Sequence, residues 1–208
     1  MKTIILTAVF FSLISLSFSK AQSIKTEYEA GKKAFYSDNF DEANKRFNPI
    51  LQMESDEFEV CFYKGLIYEI YFDYDRSLSM LTCAIDLKPE ASEPYFRRGV
   101  VYDKKDMYKE AINDYTKAIK LNKKYKDAYF NRATDYQDLK DYEKAIKDYS
   151  KVIKIDPKDD IAYYNRGLLY KDTGNVQKAT EDFRKAIEID KIWKNELTKL
   201  IESMNTVK

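Results

Sequence analysis

The chain has 208 residues, with 36 basic and 35 acidic side chains, two cysteines and no histidine. A charge balance this even lacks the basic footprint of a nucleic-acid binder. The absence of histidine removes the Ser-His and Cys-His nucleophile systems and the histidine-containing zinc sites.

Residues 1–21 carry an early Lys2, an apolar run from Thr3 to Phe18 broken only by hydroxyl residues, and small residues Ser19 and Ala21 around Lys20. This is the layout of a cleavable secretory signal, and the run is too short and too rich in serine for a membrane span. Cleavage after Ala21 leaves Gln22 first; cleavage after Ser19 and an uncleaved anchor are the alternatives. No cysteine follows the run to carry a lipid. The expectation is an exported chain, periplasmic or secreted.

From Ile24 to Trp193 the sequence repeats every 34 residues without insertion or deletion, as units 24–57, 58–91, 92–125, 126–159 and 160–193. Gly31, Gly65, Gly99 and Gly167 mark the period, with Ala133 in the remaining slot. Twelve residues later come Ala43, Ser77, Ala111, Ala145 and Ala179, and seven beyond those Ile50, Ala84, Ala118, Val152 and Ala186. A fixed period of this length means stacked supersecondary units.

Each unit has the spacing of two helices. In the third, Tyr95, Arg98, Gly99 and Tyr102 share one face, and Ala111, Tyr115, Ala118 and Ile119 share another. Polar turns such as Lys105-Asp106 and Thr173-Gly174-Asn175 separate them, and Lys88-Pro89 and Asp156-Pro157 close two units where a helix must stop. The small residues let the two backbones approach. With the glycines so assigned, no phosphate-cradling loop remains. The acid pairs Asp73/Asp75 and Asp159/Asp160 fall at helix entries; the first lacks the glycine and closing glutamate of a calcium loop.

Tyr163-Tyr164-Asn165-Arg166-Gly167, then Tyr170, Ala179, Phe183 and Ala186, resemble the signature of the tetratricopeptide repeat proteins in order and spacing. The third and fourth units match nearly as well. The second is looser, with Cys61 and Ser77 at signature places, and the first is weakest, with Glu27 and Ala34 at usually aromatic places and Pro49 inside the second helix, where a kink or a shortened helix is expected. The resemblance implies an all-α fold, a right-handed superhelical solenoid of five helix-turn-helix repeats over residues 22–193. Residues 194–208 continue it as a C-terminal capping helix: Trp193, Leu197, Leu200, Ile201 and Met204 form an apolar stripe suited to covering the last repeat. A mobile helix that occupies a partner groove is the alternative.

Cys61 and Cys83 lie one on each helix of the second unit. Export makes a disulfide a candidate, whereas the core place of Cys61 suits two buried thiols whose directions diverge. Arg98, Arg132 and Arg166 are each followed sixteen residues later by Asp114, Asp148 and Asp182, while the first two units have neither member. Arginine and aspartate that appear and vanish together point to an Arg-Asp rung, within a unit or between neighbours, that fixes repeat geometry.

The resemblance also implies a concave face lined by first helices, with the second, fifth, ninth, twelfth and thirteenth places of each unit toward a partner. The fifth place is aromatic throughout: Tyr28, Phe62, Phe96, Phe130 and Tyr164. The second gives Lys25, Glu59, Glu93, Asp127 and Ile161; the ninth gives Lys32, Leu66, Val100, Thr134 and Leu168. The expected groove has an apolar floor and an acidic edge in its middle units, although the aromatic row equally suits packing against the next first helix. The family's clamp for acidic tails needs lysines where Phe62, Phe96 and Phe130 stand, so it is not carried over. The reading is a non-catalytic scaffold, without metal or cofactor, that binds an extended segment or helix of another envelope or secreted protein, itself a monomer. Glycan capture by the same aromatics, helped by Asn131, Asn165 and Gln137, is the alternative.

Overall fold

The computed structural model describes residues 22–52 and 58–206, and every regular element among them is helical. The expected signal over residues 1–21 lies outside the described residues. The chain divides into two compact units, one ending at Pro89 and the other beginning at Glu90.

In the first unit, α1 is helical over residues 22–35, followed by α2 (Phe40–Gln52), α3 (Phe58–Ile70) and α4 (Tyr74–Leu87). Its core is Ala43, Phe47, Ile50, Val60 and Ile67, with Tyr28, Phe35 and Tyr63 packed around it. A Cβ at Gly31 would stand 2.5 Å from the Phe47 ring, so this glycine allows α1 and α2 to close. Pro49 does not stop α2, which continues to Gln52, contrary to the expected shortening. Cys61 and Cys83 are joined in a disulfide with their Cα atoms 5.9 Å apart, so the two side chains converge rather than diverge. The bond ties α3 to α4.

The second unit contains three hairpins: α5 (Ser92–Asp103) with α6 (Tyr108–Leu121), α7 (Lys126–Asp138) with α8 (Tyr142–Ile155), and α9 (Asp160–Asp172) with α10 (Val176–Ile189). A 3-10 turn (Lys191–Trp193) leads into α11 (Lys194–Thr206). Leu197 of α11 is fully buried with Ala179, Phe183 and Ala186, and Trp193, Leu200, Ile201 and Met204 pack around them. α11 is therefore a cap on the last hairpin, and covering one leucine-sized side chain contributes ~1.5 to 3 kcal/mol.

Each hairpin turn is built alike. Asp38, Phe72, Asp106, Lys140 and Gly174, one period apart, all take positive φ, between 56° and 79°. The next residue's N–H returns to the carbonyl five residues back, as from Asp141 to Tyr136 and from Asn175 to Tyr170, both at 2.7 Å. This closes the first helix by satisfying a terminal carbonyl. The side chains of Asn39, Asp73, Asp141 and Asn175 then accept the N–H three residues on and start the second helix. Met107 holds the same place without a side-chain cap. Asp159 caps α9 through the Ala162 N–H at 2.9 Å, in keeping with a helix-entry role.

The Arg-Asp rungs form within units. Arg98 Nε lies 2.7 Å from Asp114 Oδ2 and its Nη2 2.9 Å from Oδ1; Arg132 with Asp148 and Arg166 with Asp182 repeat the fork at 2.7 to 2.8 Å. The remaining Nη1 reaches back to the previous second helix, from Arg132 to Thr116 and from Arg166 to Ser150, each at 2.8 Å. One guanidinium thus joins three helices. In the first unit the buried Lys64 occupies the arginine's place and donates to Asn48, which stands where Thr116 and Ser150 stand later.

Candidate functional site

The expected groove residues divide between the units. In the first, Phe62 stacks on Phe58 with ring centroids 6.1 Å apart and meets Tyr63 at 5.8 Å, Leu66 is half-buried, and Glu59 pairs with Lys88 at 3.3 Å.

In the second unit one member of the aromatic row is internal and two are half-buried. Phe96 is only 8% exposed, covered by Tyr125 at 4.8 Å and Tyr115 at 5.8 Å. It is part of the packing and offers no floor to a partner, because Tyr125 from the following connection lies across it. Tyr164 is half-buried and stacks on Trp193 at 4.5 Å. Phe130 remains half-buried, edge-on to Tyr149 at 5.4 Å. The acidic edge is also partly spent. Glu93 accepts from Arg97 Nε at 2.8 Å and from the Tyr125 hydroxyl, whereas Asp127 is exposed. Burial first, and then Glu93, raise the Tyr125 hydroxyl above its ordinary range.

The ninth-place residues Val100, Thr134 and Leu168 are half-buried on α5, α7 and α9. Leu168 packs toward the cluster under α11, and Thr134 Oγ1 lies 3.2 Å from the Tyr149 hydroxyl. Asn131, one of the amides suited to a sugar, is within 3.5 Å of the Tyr115 hydroxyl as a donor. Of the expected groove residues in this unit, Asp127, Phe130 and Thr134 on α7, Val100 on α5 and the 49% exposed Ile161 on α9 stay accessible, and together they are termed the first-helix strip.

Beside this strip lies a set of residues that the sequence reading passed over. Asp135 on α7 is 1% exposed, and no donor group reaches its carboxylate oxygens, whose neighbour is the Asp103 carboxyl. Burial first, then Asp103 and Asp138, push its carboxyl up to about 8. Asp138 is raised as well, by burial and then by the charges of Asp103 and Asp106. Two ionised carboxylates offer each other no donor, so only a proton on one lets Asp135 and Asp103 share a bond. Asp103 ends α5 and Asp138 ends α7, and neither helix has a basic residue in its last turn. The negative poles of two helices add to the carboxylate charge. The tenth place carried a signal: Ile67, Val101 and Leu169 are buried and apolar there, Lys33 is exposed in the first repeat, and Asp135 is the buried charged residue of the series.

A separate concentration of positive charge surrounds Tyr129 and Ile155, formed by Lys123, Lys124, Lys151 and Lys154. Among the described residues no three His, Cys, Asp or Glu side chains are placed to hold a metal ion, and no helix is long and apolar enough to cross a membrane.

Family models described as tetratricopeptide repeat match residues 92–125 and 161–191, and one described as TPR repeat matches residues 135–174. No curated protein sequence matches the chain. Among solved structures, the chain is similar to a crystal structure of MamA at 26% identity and TM-score 0.76, covering 82% of this chain and 93% of that one. It is also similar to MamA from Desulfovibrio magneticus RS-1, at 20% identity and TM-score 0.75 over 81% and 96% of the two chains. YrrB, described as a TPR protein with an unusual peptide-binding site, matches at 20% identity and TM-score 0.75 over 89% and 97%.

Proposed function

The chain belongs to the tetratricopeptide repeat proteins, and on that premise we propose that it is a non-catalytic scaffold of the cell envelope that receives an extended segment or helix of another protein. Helical-hairpin repeats present first-helix side chains at regular spacing, which suits a long ligand better than a compact one. The observation that carries the reading is the half-open strip of Val100, Phe130 and Thr134 beside exposed Asp127 and Ile161. It places apolar contacts next to carboxylate charge, as a partner with alternating apolar and basic residues requires. The peptide-binding description of YrrB agrees with this use of the fold. Export is supported by the layout of residues 1–21 and by the Cys61–Cys83 disulfide, since such bonds persist in oxidising compartments.

Affinity capture from envelope extract tests the proposal. The chain and a Thr134→Arg variant with unchanged melting are used as paired baits, because arginine at this half-buried place obstructs the strip without entering the core. A protein retained by the first and lost by the second supports the strip as the contact; equal capture by both removes it from the interface.

A further inference from the structure

We infer that the cleft between the α6–α7 connection and the end of α8 is a binding site for a phosphorylated ligand, its phosphate or diphosphate held by Lys123, Lys124, Lys151 and Lys154 and its apolar body resting on Tyr129 and Ile155. The site is separate from the first-helix strip, because Tyr129 stands two residues from Asp127 and so about 200° further round α7.

Three segments of the chain build the cleft. Lys123 and Lys124 come from the connection after α6, Tyr129 from the start of α7, and Lys151, Lys154 and Ile155 from the end of α8, and together they line a space of about 510 Å³. That volume is in the range of small-molecule sites. The connection is held from both sides. The Asn122 side chain accepts the Lys124 N–H at 3.0 Å and the Asn122 carbonyl accepts the Tyr125 N–H at 3.1 Å, while the Tyr125 ring lies on Phe96 at 4.8 Å. The backbone that carries two of the lysines is therefore set in advance, and binding has only the side chains to order.

Repeat packing explains the floor of the cleft but not its charge. Tyr95, Tyr129 and Tyr163 recur at one place of the repeat, and Leu121, Ile155 and Ile189 at another. The four lysines do not recur as a set. At the same places the junction before has Pro89, Glu90, Lys117 and Lys120, and the junction after has Pro157, Lys158, Lys185 and Glu188. In the latter, Lys185 Nζ lies 2.9 Å from both Glu188 oxygens. The helix dipole accounts for Lys154 in the last turn of α8, but not for Lys123 and Lys124, which lie outside any helix.

The charge is also uncompensated. All four lysines are exposed, and none has an ion-pair partner among the described residues. Asp156 and Asp159, just beyond α8, are instead held by Lys126 at 3.0 Å each. Ammonium groups that converge without a counter-charge repel one another, and a multiply charged anion relieves that repulsion. The donor set selects the anion. Each ammonium is a point charge with three donors, and no arginine is among the lining residues to match a planar carboxylate with its fork. A phosphate presents three strong acceptor oxygens and so engages several ammonium groups at once. Tyr129 and Ile155, between the lysines, suit the carbon body attached to it.

The test is calorimetric titration of the full chain at low salt with inorganic pyrophosphate, phenyl phosphate and benzoate. Wild type is compared with Lys123→Gln/Lys154→Gln and with Lys158→Gln/Lys185→Gln, which removes the same charge at the next junction. The expected result is saturable binding of both phosphates, weakened ~10-fold or more by the first pair and less than ~2-fold by the second, with benzoate at least ~10-fold weaker than phenyl phosphate. Sedimentation with phosphatidylglycerol vesicles separates the sources. Co-sedimentation abolished by the first pair identifies a lipid headgroup, whereas phosphate binding without co-sedimentation identifies a soluble phosphorylated compound; either supports the site. No saturable phosphate binding overturns it, and equal weakening by the two pairs does so too, by reducing the effect to net charge. Benzoate bound as tightly as phenyl phosphate overturns the phosphate assignment in favour of a carboxylate ligand.

Discussion

Arg132 and Asp148 face each other across the fourth hairpin, with Nε 2.7 Å from Oδ2 and Nη2 2.8 Å from Oδ1. The side chains are 14% and 5% exposed, so the pair works in a partly desolvated setting where geometry matters more than charge alone. Because Arg132 also donates to Thr116, it fixes the second helix of its own repeat and that of the one before. Arg132→Leu should destabilise the chain by ~3 to 5 kcal/mol, since Asp148 is left buried without a partner. Arg132→Leu combined with Asp148→Leu should recover most of that loss. Equilibrium denaturation of the two variants checks this, and a single variant that unfolds like wild type rules out a structural rung.

The turn series makes an independent stability prediction. Met107 is the one uncapped member of the place held by Asn39, Asp73, Asp141 and Asn175. Met107→Asp should add ~1 kcal/mol by accepting the N–H three residues on. Phe72 takes φ 60° and is 75% exposed, so Phe72→Gly should add ~1 kcal/mol by relieving a left-handed residue without emptying the core. Melting curves of the single and double variants should show additive gains, because the two turns are far apart in sequence and share no partner.

The disulfide predicts a redox response confined to the first unit. Cys61 and Cys83 enclose a separation of 22 residues, and losing the bond should cost ~2 to 4 kcal/mol. Alkylation without reductant should leave the mass unchanged, and alkylation after reduction should add two groups. Labelling of the unfolded, unreduced chain would show that the thiols are free.

Asp135 gives stability a pH slope. Its folded carboxyl titrates near 8, above the ordinary unfolded value of about 3.9, so the folded state holds the extra proton between those limits. The contribution is fully present below about 4 and is lost as pH rises toward about 8, with a limiting slope of ~1.4 kcal/mol per pH unit. Asp135→Leu, which restores the residue type of Val101 and Leu169, should flatten this slope and raise stability at pH 8. Chemical denaturation of both proteins at several pH values reads the difference directly.

What the sequence made legible follows from repetition. The hairpin boundaries, the glycine contacts and the Arg-Asp rungs each recur, so one chain supplies several examples of the same geometry. Phe96 recurs too, but repetition alone does not separate a floor from a core; the covering ring, Tyr125, comes from a turn outside the helical pattern. The disulfide occurs once, and Cys61 stands at a core place, so its direction could not be read from periodicity. Asp135 was visible as a polar residue at the place of Ile67, Val101 and Leu169, as Lys33 is in the first repeat, yet its burial without a donor is a property of the packed structure.

The central claim is that the first-helix strip of the second unit meets the partner, and site-specific photo-crosslinking in cells tests it most directly. A benzoylphenylalanine placed at Thr134 is compared with one at the exposed Lys120 on α6. The account predicts a discrete crosslinked protein at Thr134 that is absent at Lys120. A crosslink at Lys120 with none at Thr134 would contradict it and move the interface to the second helices.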